Sequence, residues 1–340
     1  MLPPASRRNY NPRAVRSWRA SLAALALALL GPSSEPADDR PKQNPTPTPP
    51  VFAARAEVVN LTVTVLDKEG NLVLDLEAQD FQVYEDGRPQ RVEIFGRAQD
   101  GGHPFDPRTN EALVLDLGLL MDTSESMLKE LRLSQQSAIR FLEAVPRARD
   151  LVTVFFDSDI QVSRYDSEQQ QGLIDRIQAL KGGGWTALYD AIAVYLSRAE
   201  DSGGGRRVLV LFTDGEDSRS VTTLGEVLKM VRSSPVTVYA IAFSQGLTQS
   251  RRLPAKAFLQ GLAEMTGGEV FSPTSFRDLP AIYDKILQQL SAQYVIGYVS
   301  DNPKQDGKLR HLKVEVSERD LSVRHREGYL ATEDKADRTR

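Results

Sequence analysis

Between residues 58 and 95 apolar and polar positions alternate with a period of two, in the runs 58–66, 72–74, 81–84 and 92–95. Lys68-Glu69-Gly70-Asn71 and Glu85-Asp86-Gly87 interrupt them with turn-forming residues. Alternation of this kind buries one face of a strand and wets the other, so the segment predicts a small β module without helices. From residue 112 the period changes. An apolar run at 112–121, rich in leucine, predicts a strand covered on both faces, and the residues at 129–144 follow it with helical spacing. Strands at 151–156, 207–212, 236–242 and 269–271 then alternate with helices at 169–180, 187–198, 224–232, 255–265 and 275–290, with a short edge strand at 160–164. Asp157-Ser158-Asp159 forms the turn into that edge. This alternation is the pattern of an α/β fold with a doubly wound, mostly parallel sheet.

Strand character returns at 294–299, 309–316 and 321–325. Three strands make a poor domain by themselves, and the strands before residue 98 lack partners too. The flanking segments 53–98 and 294–330 are therefore expected to pair into one β-sandwich, with the α/β domain at 111–293 inserted between them. The ends of an inserted domain lie together, whereas α/β sheets bind ligands at the carboxyl ends of their strands. The sandwich is thus expected on the side away from those ends.

Composition and charge add a compartment. Arg7, Arg8, Arg13, Arg16 and Arg19 precede an apolar stretch at 21–30, which Gly31-Pro32-Ser33-Ser34 follows. A basic start, a short apolar segment and small residues read as a secretory signal peptide over 1–33, too short for a comfortable membrane span. Prolines 36, 41, 45, 47, 49 and 50 make 34–52 a stiff extended linker, and 331–340 is a polar tail. Removing those five arginines from a chain of formal net charge −4 leaves −9, which argues against nucleic acid as a partner. The chain has no cysteine, which excludes disulfides, thiolate nucleophiles and cysteine-zinc sites. The protein is expected to be exported to the periplasm, the cell envelope or the medium, with a membrane contact only through an uncleaved signal.

Three segments carry the chemistry. Leu119-Leu120-Met121-Asp122-Thr123-Ser124-Glu125-Ser126-Met127 places Asp122, Ser124 and Ser126 on the turn after the apolar run. Thr186 stands in Gly184-Trp185-Thr186-Ala187-Leu188-Tyr189-Asp190, and Asp214 in Leu211-Phe212-Thr213-Asp214-Gly215-Glu216-Asp217. All five are hard oxygen donors, suited to Mg²⁺, with Mn²⁺ or Ca²⁺ as alternatives. Serine and threonine also cap helices, and Asp-Gly also makes turns, but three such segments in this order ask for more than capping.

The constellation resembles the metal-ion-dependent adhesion site of von Willebrand factor type A domains, over residues 111–293. The phrases at 80–90 and 297–329 resemble the VWFA-related family of exported bacterial proteins, and integrin β chains look similar in inserting such a domain into a sandwich. The resemblance implies a cation-dependent protein-binding module, for adhesion or envelope assembly, in which a partner's acidic side chain completes the metal shell. No small-molecule substrate is implied. Glu125 stands where that family often has glycine and reads as an exposed turn residue. Glu216 and Asp217 read as an acidic rim, which asks for a partner with a basic patch.

Two other functions are open to such a chain: an envelope scaffold with a fold-stabilising metal, and a metal-assisted hydrolase. The second lacks an evident base. The histidines are His103, His311 and His325, all outside the α/β domain and in no zinc or Ser-His-Asp spacing. Gly182-Gly183-Gly184 and Gly203-Gly204-Gly205 lack the Gly-Lys-Ser/Thr ending of a phosphate loop. The chain is therefore read as a binding protein and not an enzyme.

Overall fold

The computed structural model describes residues 58–96, 105–106, 111–112, 115–145, 148, 150–166, 168–199, 206–317 and 320–331. The expected signal peptide, the proline-rich linker, His103, the glycines at 203–205 and residues 332–340 lie outside the described residues.

In chain order, the first strands are β1 (Val58–Leu66), β2 (Phe81–Glu85), β3 (Arg88–Gln90) and β4 (Val92–Gly96), followed by a two-residue ribbon of β5 (Phe105–Asp106) and β6 (Glu111–Ala112). The α/β part then runs β7 (Leu115–Asp122), α1 (Leu131–Ala144), β8 (Asp150–Phe156), β9 (Ile160–Tyr165), α2 (Gln170–Gln178), α3 (Leu188–Ala199), β10 (Arg206–Thr213), α4 (Leu224–Ser233), β11 (Val236–Ala242), α5 (Gln249–Thr266), β12 (Glu269–Phe271) and α6 (Leu279–Ser291). The chain closes with β13 (Tyr294–Val299), β14 (Leu309–Val316), β15 (Ser322–Arg324) and β16 (Gly328–Leu330).

The central sheet has the order β12-β11-β10-β7-β8-β9, parallel except for the antiparallel edge β9. Residues of one strand alternate between two cores. Leu117, Leu119 and Met121 of β7 meet α1, α2 and α6 on one face, while Leu120 meets α3, α4 and α5 on the other. Burial on both faces is why this strand reads as a continuous apolar run. Gly118 interrupts it for a steric reason: a Cβ there would lie 2.3 Å from the ring of Tyr195. The chain leaves β7 toward β8 on one side and returns to β10 on the other. The carboxyl ends of β7 and β10 therefore flank the point where strand order reverses, the place where open α/β sheets form crevices.

The flanking segments form the expected sandwich. One sheet has the order β15-β1-β13-β4 and the other β16-β14-β2-β3, so each combines strands from before and after the α/β part. Val59, Leu61, Val63 and Val65 alternate inward from β1 against Phe81 and Val83 of β2, Tyr294 and Ile296 of β13, and Val314 of β14. The sandwich meets the α/β part where α5 ends and β12 begins. Glu269 accepts hydrogen bonds from Lys285 and Gln289 of α6 and from Arg324 of β15, each at 2.6 Å, and the Glu327 amide donates to the Met265 carbonyl at 3.0 Å. These contacts lie at the amino edge of the parallel strands.

Local departures from the expected elements have local causes. Residues 72–74 make a single bridge, Leu66 to Leu72, and no strand. Helix α5 starts at Gln249, ahead of the expected 255, with Pro254 inside it. Proline's missing donor and its ring favour a helix boundary there, but Pro254 sits in the exposed early turns of the helix. Strands β3 and β16 are three residues each and exist only through pairing with β2 and β14. Among the described residues no helix is long and apolar enough to cross a membrane.

Candidate metal centre

Parallel pairing of β7 with β10, with Met121 opposite Phe212, releases Asp122 and Asp214 side by side at the carboxyl edge. Asp122 is fully buried. Its Oδ1 accepts the Ser124 amide at 3.0 Å, and its Oδ2 accepts the Thr213 hydroxyl at 2.6 Å. The Thr213 oxygen in turn accepts the Gly215 amide at 3.1 Å. Asp214 is 2 % exposed; its Oδ1 accepts the Glu216 amide at 2.9 Å, while its Oδ2 is buried without a hydrogen-bond partner. Burial, and then the neighbouring Asp214 charge, push the Asp122 carboxyl up to about 7, against the hydrogen bonds from Ser124 and Thr213. Two carboxylates in a dry site with one bare oxygen lack a positive charge.

The hydroxyls of the first loop are not spent on capping. Ser124 occupies the N-cap position of the short 3₁₀ turn Glu125–Met127, yet its side chain makes no capping bond. Its Oγ lies 3.1 Å from that of Ser126. The second loop is stitched to the first by the Gly183 amide on the Thr123 carbonyl at 2.8 Å and by the Glu125 amide on the Gly184 carbonyl at 3.0 Å. It is stitched to the third by the Thr186 amide on the Ser218 hydroxyl at 2.9 Å, and by the Ser218 and Arg219 amides on the Thr186 carbonyl at 2.9 and 3.0 Å. Backbone bonds thus bring together the loops carrying Asp122, Ser124, Ser126, Thr186 and Asp214.

Asp157-Ser158-Asp159 makes the expected turn and also braces the site. The Thr123 hydroxyl donates to Asp157 Oδ2 at 3.4 Å, the Ala187 amide to the Asp157 carbonyl at 3.0 Å, and the Trp185 amide to the Ser158 hydroxyl at 2.8 Å. Gly184, with φ of 80°, passes so close that a Cβ would lie 2.6 Å from that hydroxyl. Thr213, Ser158 and Ser218 are supporting residues that sequence reading missed. Each acts on a residue distant in the chain, and a lone hydroxyl carries no local signal of that.

The acidic rim differs from expectation. Glu216 is paired with Arg251 at 2.5 Å, and Asp217 accepts the Tyr189 amide at 3.1 Å and the Ser220 hydroxyl at 2.5 Å, so it caps the start of α3. Asp190 likewise accepts the Val221 and Thr222 amides at 2.9 and 2.8 Å. These charges serve the fold, whereas Glu125 is exposed. Of the histidines, His325 is tied into the sandwich: its Nε2 accepts the Val314 amide at 3.1 Å and its Nδ1 faces the Arg326 carbonyl at 2.7 Å. Burial holds its pKa below the ordinary value. His311 is exposed on β14.

Among the described residues no three His, Cys, Asp or Glu side chains converge; the candidate donors are two carboxylates and three hydroxyls. That set fits a hard divalent cation, and the bare Asp214 oxygen is the feature such an ion would satisfy.

The chain is similar to several known proteins. A UPF0353 protein from Nocardia farcinica is 24% identical over 224 residues, covering 57% of this chain and 66% of that protein, so the chain spans just under two thirds of its length. The crystal structure of BatB, a conserved hypothetical protein from Bacteroides thetaiotaomicron, is 14% identical with a TM-score of 0.40, over 53% of this chain and 100% of that one. A von Willebrand factor type A structure from Catenulispora acidiphila is 11% identical with a TM-score of 0.43, over 84% of this chain and 76% of the other. The model of the von Willebrand factor type A domain matches residues 116–285, half of the chain, a span that runs from β7 into α6 and holds all five donors: the chain belongs to the von Willebrand factor type A domain family.

Proposed function

We propose that this protein is an exported, divalent-cation-dependent protein-binding module, with Asp122, Ser124, Ser126, Thr186 and Asp214 holding Mg²⁺, or Mn²⁺ or Ca²⁺ in its place. The observation that carries the reading is Asp214 Oδ2, buried and without a hydrogen-bond partner beside a second buried carboxylate. A hard cation, when bound, supplies the missing charge and a coordination position for a partner's carboxylate. Three of the five donors are neutral hydroxyls, so they cancel less of the cation's charge than a carboxylate cage and leave it attractive to an acidic ligand. The family is the one expected of a binding module. The basic and then apolar first 33 residues support export to the envelope, the periplasm or the medium.

The test is thermal and chemical unfolding with and without cation. Binding to the folded state alone stabilises by RT ln(1 + [L]/Kd), about 2.7 kcal/mol at a hundredfold excess over Kd. Mg²⁺ is expected to raise the unfolding transition of the wild type and leave that of Asp122→Ala unmoved. An equal shift in both proteins, or none in the wild type, refutes the site. Chelation that unfolds the protein at ordinary temperature favours the scaffold reading instead.

A further inference from the structure

Large apolar side chains are exposed at seven described positions, and five of them, Leu128, Trp185, Val221, Leu224 and Leu253, lie in loops and early helical turns at the carboxyl edge of the parallel sheet. Scattered exposed leucines need no explanation, but concentration at one edge, around the candidate donors, marks a contact face. Trp185 is the largest of them, 63 % exposed, and directly precedes Thr186. Its backbone is held rigidly by the bond from its amide to Ser158 and by the close approach of Gly184 to the same side chain. Leu128 lies against the loop that carries Trp185: a Cβ on Gly182 would lie 2.7 Å from its Cδ2. An aromatic side chain on a fixed backbone binds with little loss of conformational freedom, which is how interface anchors work. Of the acids near this patch, Glu216 is paired with Arg251 and Asp217 accepts hydrogen bonds at the start of α3, while Glu125 is exposed beside Ser126.

Resting on the cation-binding reading above, we infer that Trp185 is the specificity anchor of this face: the partner presents an acidic residue flanked by apolar or aromatic side chains, which pack on the Trp185 indole while the carboxylate meets the cation.

The experiment uses the full chain and two synthetic peptides, one with a glutamate flanked by phenylalanines and one with a glutamate flanked by glycines, each in Mg²⁺. Aromatic packing of this kind favours the first by about five- to tenfold. In Trp185→Ala that preference is expected to vanish while the Mg²⁺ shift in unfolding stays at its wild-type size, since Trp185 supplies none of the proposed donors. In a Trp18→Phe protein Trp185 is the single tryptophan, and the phenylalanine peptide is expected to shield it from acrylamide quenching. Equal affinity for the two peptides, including no binding of either, overturns the anchor, as does a preference that survives Trp185→Ala. If the Mg²⁺ shift persists in either case, the anchor fails and the cation site stands. If the wild type shows no Mg²⁺ shift, both fail.

Discussion

The β-sandwich and the α/β part each bury a carboxylate, and they treat it in opposite ways. Glu85 at the end of β2 is 3 % exposed and fully served: Oε2 accepts the hydroxyls of Tyr298 at 2.7 Å and Tyr329 at 2.9 Å, and Oε1 accepts that of Ser300 at 2.7 Å. Burial, and then the bond to Glu85, push the Tyr298 hydroxyl far up, so it remains a donor. Asp214, 2 % exposed, keeps one oxygen bare and faces a like charge. A buried carboxylate ringed by donors holds strands together; one left without them is available to a ligand.

The comparison breaks most visibly at Glu85. Replacing it with alanine leaves two tyrosine hydroxyls in the sandwich without their acceptor and should cost about 3 kcal/mol in urea unfolding. A loss below about 1 kcal/mol would mean the hydroxyls find other partners and Glu85 is no keystone.

Glu269 sharpens the contrast because it joins the two parts. Burial alone raises its pKa, but the bonds from Lys285, Gln289 and Arg324 outweigh that and hold it below the ordinary 4.5. A carboxyl lowered in the folded state stabilises above its unfolded pKa and loses that contribution as pH falls through the folded value. Stability should therefore fall below about pH 4.5, and Arg324→Ala should flatten that fall and cost about 1–2 kcal/mol at neutral pH. An unchanged acid limb in Arg324→Ala would remove Glu269 as the joint.

The smallest effect is expected at Asp214. Asp214→Asn keeps an oxygen for the Glu216 amide and removes one of two repelling charges, so with chelator present the protein should gain roughly 1 kcal/mol. The same variant should lose the Mg²⁺ shift. Destabilisation as large as that of Glu85→Ala would make Asp214 a structural carboxylate and erase the contrast.

Much of the fold was legible where the signal is local. The leucine run of β7, the alternation of β1 and the turn at Asp86-Gly87, both with positive φ (49° and 78°), follow from period and turn chemistry. Strand β3, Arg88–Gln90 with Pro89, was not legible, because proline speaks against a strand until a partner on one side accepts it. The five candidate donors could be located, but the fate of their neighbours could not. Glu216 and Asp217 look like rim charge in the sequence and turn out to serve Arg251 and the start of α3.

By itself, then, the sequence determined the order of the longer strands and helices, the loops on which the candidate oxygen donors sit and the positions of the two β segments. Hydrophobic period, turn residues and motif spacing act over a few residues, so they survive without a structure. Strand order decided the rest. Only β10 lying against β7 brings Thr213 to Asp122, 91 residues away in the chain, at 2.6 Å. Only the pairing of β14 with both β2 and β16 brings Tyr329 to Glu85, and only the packing of the other sheet adds Tyr298 from β13. Whether a buried carboxylate is satisfied depends on which distant hydroxyl reaches it, and that is set by packing rather than by any neighbour in sequence.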